Sequence, residues 1–320
     1  MKSTLKELLS GILDYAGVYP PAKLDFTSSY ANYCTYRSSA KAFMLGSFVC
    51  PVTNLEDLRA SQPSELPIEV SIIASLAQDQ ESFFQQLESD VEKTKSYFSN
   101  TMPSHELYSF EVRLMSYDTD VEKCEKVLNK LYAVNKNTKF FLEVPFLDGW
   151  ENSVSEIISC ISEQTICNAK IRTGGLNQNA FPNVKQLQQF IYSCANNELP
   201  FKATAGLHYP ITHWNDEIKV NMHGFFNVFI AAICMYHNYE HEIAEKILSS
   251  QNPSDFQFYD EHAVICGTKI TLEEIEQGRT FALSFGSCSL DEPIEHLVSL
   301  GYIEKHYSQN ESTTIIGGAN

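Results

Sequence analysis

Positive charge is scarce in this chain: 23 Lys and Arg stand against 40 Asp and Glu, a formal net charge of −17 over 320 residues. A surface of that sign repels a phosphate backbone and an anionic membrane face, so no nucleic acid and no membrane is expected as a partner. A small anionic metabolite fits only where a local pocket is basic. The nine cysteines are odd in number, and no C-x-x-C occurs. Several, such as Cys50 and Cys234, sit inside apolar runs, which reads as reduced, buried thiols of a cytoplasmic protein rather than a disulfide framework. Long apolar runs are missing too. The longest, Phe225 to Tyr236, is too short to span a bilayer, and the N-terminus has no uninterrupted apolar stretch of the signal-peptide kind. There is no fixed-period repeat and no low-complexity block. What remains is a globular composition, 43% hydrophobic and 20% charged, at a length that buries a core without a metal or other cofactor. A homo-oligomer is compatible with all of this.

Short apolar runs alternate with longer charged segments. The runs predict strands at Asp14–Tyr19, Phe43–Cys50, Ile68–Ser75, Tyr108–Leu114, Lys139–Val144, Ala169–Thr173, Phe201–Ala205 and Ala282–Ser287. Residues 3–12 and the segments Leu55–Ala60, Gln80–Phe98, Asp120–Ala133, Ser153–Glu163 and Val184–Ala195 carry helical periodicity. Eight strands alternating with helices predict an α/β fold, a (β/α)8 TIM barrel, with a doubly wound open sheet as the structural rival. About seventy residues separate strands 7 and 8 where one helix would suffice. They predict a helical insertion over about 208–280, with a loop at His208–Asp216, helices at His223–Tyr236 and His241–Ser249, and a turn at Ser250–Asp255, lying over one barrel mouth. Residues 1–307 then form one domain, and 308–320 a polar, frayed tail.

Strand side chains alternate in direction, so Lys170 and Arg172 share a face, as do Lys202 and Thr204, and Glu111 and Arg113. Glu143 stands between Leu142 and Val144. Outward positions of barrel strands contact helices and are apolar, so these charges are expected to face inward. Ionisable groups there are costly unless paired. The plain alternative is a structural ion-pair layer; the functional reading is a polar site floor at the C-terminal strand ends. Lys170 and Lys202 fall on neighbouring strands about 4.8 Å apart. Two ammonium groups that close disfavour each other's charged form, and burial pushes the same way. A lowered pKa frees one amine to attack a carbonyl and form a Schiff base, with Glu111 or Glu143 moving protons.

Several strand motifs resemble those of deoxyribose-phosphate aldolase, a class I aldolase barrel. The residues are Lys170-Ile171-Arg172-Thr173-Gly174 on strand 6, Phe201-Lys202-Ala203-Thr204-Ala205-Gly206 on strand 7, Phe285-Gly286-Ser287-Cys288-Ser289-Leu290 on strand 8, Phe141-Leu142-Glu143-Val144 on strand 5, and Val49-Cys50-Pro51 on strand 2. The resemblance implies Lys170 as the Schiff-base residue, Lys202 as its pKa-lowering neighbour, and Glu111 near the family's strand-4 aspartate. The chain departs from that pattern at Arg172, where the family has a small polar residue, in Glu for Asp on strand 4, and in the insertion.

Other candidates surround this centre. Gly286, Ser287 and Ser289 would hold a phosphate through hydroxyls and backbone N–H groups, unless Ser289-Leu290-Asp291-Glu292 is simply a capping box before Pro293. Arg172 would hold an anionic group by a bidentate pair. His237-Asn238-Tyr239-Glu240-His241 matches the H-x-x-E-H of some zinc peptidases, where a solvated helix face is the plainer reading. His208, His213 and His223 would border the mouth, binding substrate or, with Glu111 or Glu143, a metal. Tyr15 and Tyr19 would line the pocket from the end of strand 1. The leading expectation is a Schiff-base lyase or aldolase acting on a small anionic oxo compound. The catalytic residues are Lys170, Lys202, Glu111 and Glu143, and the substrate contacts Arg172, Arg113, Thr204, His208, Gly286, Ser287, Ser289 and Tyr19. The alternatives are a metal-dependent lyase or hydrolase using the 208–223 histidines, and a non-catalytic barrel that binds a small anion.

Overall fold

The computed structural model describes residues 1–61, 67–77, 79–99, 104–114, 126–127, 129, 138–146, 150–163 and 166–308. Eight parallel strands close into a barrel: β1 (Leu13–Tyr15), β2 (Leu45–Pro51), β3 (Ile68–Ile73), β4 (His105–Arg113), β5 (Lys139–Val144), β6 (Cys167–Arg172), β7 (Phe201–Thr204) and β13 (Ala282–Ser287). Their order around the barrel is β1-β13-β7-β6-β5-β4-β3-β2. The fold is therefore a (β/α)8 barrel, and the open-sheet rival is excluded by the closure of β1 on both β2 and β13. Helices Phe26–Arg37, Leu55–Ala60, Gln80–Ser99, Trp150–Ser162, Val184–Asn196, Phe225–Tyr236 and Asp291–Ser299 follow individual strands. The helix expected at Asp120–Ala133 lies almost wholly outside the described residues, as does the tail beyond 308. No helix of the described residues is long and apolar enough to cross a membrane.

Helix Phe26–Arg37 carries no apolar stripe that periodicity would detect. Its buried face is built instead from Phe26, Tyr30, Tyr33 and Tyr36, spaced three or four apart. Asp25 caps it, accepting from the Ser28 N–H at 2.9 Å. Tyr15 packs against this helix, its ring 5.3 Å from that of Tyr36 and 6.4 Å from that of Tyr33. It is therefore a packing residue of the outer layer and not part of the pocket wall. β1 stops at Tyr15, four residues before its expected end, and a turn carries the chain over to Tyr19.

The insertion contains more than helices. β8 (His213–Asn215) and β9 (Val220–Met222) form a hairpin, and β10 (Phe256–Phe258), β11 (His262–Ile265) and β12 (Thr268–Thr271) a three-stranded antiparallel sheet. Helix Leu272–Arg279 follows, opened by a capping box of Thr271 and Glu274. The insertion packs on the side of the barrel. Phe225 stacks on Phe285 of β13 and Phe229 packs against it at a tilt, and the sheet reaches the N-terminal helix Ser3–Leu9 through Ser3 and Asp260. Helix Phe225–Tyr236 is apolar on every side because neighbours surround it: the barrel on one face, helices His241–Ser249 and Leu272–Arg279 on others. A Cβ on Gly278 would come within 2.8 Å of Ile233, so only glycine permits that close helix contact.

Candidate functional site

The barrel axis is filled by charge. Asp14 from β1, Glu111 from β4, Glu143 from β5, Lys170 from β6 and Lys202 from β7 are each at most 3% exposed. Strand register brings them together. Glu143 lies level with Lys170, and Lys170 with Lys202. Both lysines point inward, as the alternation of their strands required.

Glu111 is the hub. Its Oε1 accepts from Lys202 Nζ at 2.6 Å, and its Oε2 lies 2.8 Å from Lys170 Nζ. Lys170 also reaches Glu143 Oε2 at 3.0 Å, and Lys202 donates to Asp14 Oδ2 at 2.6 Å. Arg172 Nε donates to Glu143 Oε1 at 2.8 Å, and Arg113 Nε stands 3.6 Å from the same oxygen. Asp14 is held further by the Ser47 N–H and hydroxyl, both at 2.8 Å, and by the Ser284 hydroxyl at 2.6 Å. Because Ser47 donates to Asp14, it accepts from Ser71, which in turn accepts from Ser109, at 2.8 and 2.7 Å. A row of hydroxyls is thus polarised toward one carboxylate.

This arrangement corrects the expected electrostatics of the lysines. Burial pushes the Lys170 pKa down, but Glu111 and Glu143 more than offset it, and the net movement is upward. Lys202 follows the same course, with burial opposed by Asp14 and Glu111, and ends well above the ordinary lysine value. The repulsion between the two ammonium groups is a minor influence because a carboxylate stands between them. For Glu143, burial acts to raise the pKa, yet Lys170 and Arg172 bring it down to about 2. Glu111 is likewise lowered against its burial by the two lysines. The resting site is a set of ion pairs with both amines protonated.

Tyr19 reaches this centre from the turn after β1. Burial, with Glu111, Cys50 and Glu143 about it, pushes its hydroxyl well above the usual tyrosine value. Arg172 and Arg113 keep 35% and 47% of their side chains exposed, so their outer faces remain open to solvent at the C-terminal strand ends. Thr204 pairs in register with Arg172 and with Gly286, where a Cβ would stand 3.1 Å from the Thr204 hydroxyl. The loops after β6 and β7 touch backbone to backbone. A Cβ on Gly174 would fall 2.6 Å from Gly206 Cα, and the Thr173 hydroxyl donates to Ala205 O at 2.6 Å.

The remaining candidates do not join the cluster. Ser287 donates to Ser289 O at 2.8 Å, and the Ser289 hydroxyl accepts from the Glu292 N–H at 3.1 Å. Asp291 is bound by Tyr36 and Lys41. The serines therefore hydrogen-bond within the local turn, with two carboxylates beside them that weaken an anion's hold there. The Glu292 side chain goes to His208 Nδ1 at 3.0 Å rather than back to Ser289, so the capping box is half made. His213 donates to Ile211 O at 3.3 Å, and buried His223 donates to Pro182 O at 2.6 Å. Neither is drawn to Glu111 or Glu143. The H-x-x-E-H motif is split by a turn. His237 ends one helix, Asn238 has a φ of 59°, and Glu240 and His241 begin the next. Among the described residues no three His, Cys, Asp or Glu side chains are grouped as a metal ion needs.

Asp14 and the serines Ser47, Ser71, Ser109 and Ser284 are the members that sequence reasoning missed. Asp14 carried a signal, an acid between Leu13 and Tyr15 in an apolar run, the same signal that singled out Glu143. The serines had none.

No family model matches the chain, and no curated protein matches it. Among solved structures it is similar to QR15, described as an aldolase, at 9% sequence identity and a TM-score of 0.43, over 61% of this chain and 80% of that one. A likeness of that size says nothing about the chemistry, which rests on the site's own geometry.

Proposed function

We propose that the protein is a Schiff-base-forming carbon–carbon lyase of aldolase type, acting on a small anionic oxo compound, with Lys170 as the amine that attacks the carbonyl. One observation carries the reading: Lys170 Nζ lies 2.8 and 3.0 Å from two carboxylates, each within one proton hop. The route to a nucleophile is then not a depressed lysine pKa. The protonated amine passes one proton to Glu111 or Glu143, and the neutral amine adds to the carbonyl carbon. Loss of water gives the iminium, which draws electrons from the adjacent C–C bond. The same carboxylate returns that proton to the departing hydroxyl, then takes the proton of the substrate's β-hydroxyl as the C–C bond breaks and a carbonyl fragment leaves, and delivers it to the enamine carbon. Arg172 and Arg113, half-open at the strand ends, supply guanidinium faces for an anionic group. Tyr19, its hydroxyl kept protonated by burial and by Glu111 and Glu143, is a further proton donor for the step.

The competing reading is a barrel that binds a small anion without chemistry, with the ion pairs only structural. It draws on the pairing of both lysines, each with two carboxylates. Borohydride reduction separates the two. Incubation with glyoxylate, pyruvate, acetaldehyde and dihydroxyacetone phosphate, followed by reduction and peptide mapping, is expected to place an adduct on Lys170. Lys170→Met abolishes that adduct. A folded wild-type protein with no adduct at Lys170 from any of the four overturns the proposal.

A further inference from the structure

A continuous line of hydrogen-bonded charges leaves Lys170 in the direction away from the arginines. It runs through Glu111 to Lys202 and ends at Asp14, with contacts of 2.8, 2.6 and 2.6 Å. Asp14 borders a cavity of about 580 Å³. Gly11, Leu45 and Leu283 also line it, and they lie at the starts of β1, β2 and β13, so the cavity opens at the N-terminal ends of the strands. This is the face opposite the one where barrel enzymes hold substrate. Its floor is Asp14, Ser47 and Ser284, all buried; Glu69 and Glu106 on its lining are exposed. A polar space of that size holds several water molecules.

We infer that this cavity is the proton outlet of the lysine site, and that Asp14 hands protons between Lys202 and solvent there. The inference rests on the imine reading above. An amine that gives its proton to Glu111 is soon reprotonated unless that proton leaves. The exit balances without any oxidant or co-reactant. Lys202 releases one proton to Asp14 Oδ2, and the protonated Glu111 turns its acidic oxygen to the freed Lys202 amine and restores its charge. Asp14 then releases its proton to water in the cavity. The net change is one proton moved from Lys170 Nζ to solvent, with Glu111, Lys202 and Asp14 returned to their starting states; the reverse passage brings a proton back to Glu111 for the departing hydroxyl. The groups about Asp14 suit this role. Ser47 and Ser284 donate to it and keep its oxygens in place, and Tyr108 from β4 lines the same cavity. Substrate and proton would thus use opposite ends of the barrel.

The test follows the rate of imine formation, by mixing the full-length protein with glyoxylate and quenching into borohydride at intervals. Two variants are compared with wild type. Asp14→Asn removes the acceptor, and Ala42→Trp plugs the cavity without touching the ion pairs. Both are expected to slow adduct formation at Lys170 by about a hundredfold, the lower side of a lost proton-transfer step. Both should reach the wild-type end point and show an enlarged solvent deuterium effect, which a merely structural residue would not produce. If Asp14→Asn does not fold, Ala42→Trp decides alone. Wild-type rates in the folded variants overturn the outlet and leave the imine reading standing. A wild-type protein that forms no adduct removes both.

Discussion

Glu111→Gln is the sharpest perturbation of this barrel, because one carboxylate bridges both lysines. Across Asp14, Glu111, Glu143, Lys170, Lys202 and Arg172 three negative charges face three positive ones. The amide keeps the shape but removes one charge and turns an NH2 group toward one of the ammonium ions, so donor meets donor. Removing one partner of a buried pair costs about 3–5 kcal/mol, since the remaining charge is left uncompensated. For a chain of 320 residues the entropy of unfolding is about 0.7 kcal/mol/K, so the melting temperature should fall by roughly 4–8 °C at pH 7. A double-mutant cycle checks the cause. Lys202→Met alone strands carboxylates, and Glu111→Gln alone strands ammonium groups, but together they leave the charges balanced. The double variant should therefore cost less than the sum of the singles by about 1.5 kcal/mol or more. Thermal and urea unfolding followed by circular dichroism give all four values. A Glu111→Gln protein that melts within about 1 °C of wild type, or singles that simply add, would refute the account of the site as a closed ion-pair network.

The acid limb of stability should report Glu143. Its pKa is pulled from 4.5 to about 2, so its contribution is present above pH 4.5 and lost as pH falls toward 2, on the order of 3 kcal/mol. Urea midpoints at pH 7, 5 and 3 should show Glu143→Gln with a flatter acid limb than wild type; parallel limbs would count against it. At the other end Lys202, raised above 10.5, contributes stability below pH 10.5 that is lost as pH climbs past its folded value, and Lys202→Met should flatten that alkaline limb. Arg172→Met should lower adduct yield from glyoxylate by about 10-fold or more while sparing acetaldehyde, because only the anion uses the guanidinium; equal losses would deny Arg172 a role in anion capture. Gly278→Val should destabilise by about 1–3 kcal/mol through its contact with Ile233, measured by urea unfolding, and a neutral result would mean the helices move apart freely.

The eight strands were legible because each is a short apolar run set between charged helices. All eight were placed within a few residues, β5 and β13 to the residue. The inward set was legible for the same reason: a charge inside such a run has only the barrel axis to face. Helix Phe26–Arg37 was not, because tyrosines and serines blur its apolar stripe. The small sheet β10–β12 was not either, since three- and four-residue strands leave no period to count. At the site, the neighbouring positions of Lys170 and Lys202 could be read from strand order. Their charge state could not. It depends on where three carboxylates end, and sequence spacing does not show that Glu111 comes to stand between the amines.

That intervening carboxylate also bears on why the network exists. A barrel interior is ordinarily packed with branched apolar side chains, and exchanging a buried ion pair for such residues is often neutral or stabilising by 1–4 kcal/mol. Stability alone therefore gives little reason for five ionised side chains on five strands at the barrel axis. A purely structural layer would also have no need of an end that meets a solvent cavity. Here the line of charge has two: Arg172 and Arg113 half-open at the C-terminal strand ends, and Asp14 on the floor of a cavity at the N-terminal ones. A group buried at Lys170, connected in both directions by contacts of 3.0 Å or less, can change its protonation without itself meeting bulk water. The proposed imine chemistry, with an amine charged at rest and neutral at the moment of attack, requires that property, and a structural ion pair does not.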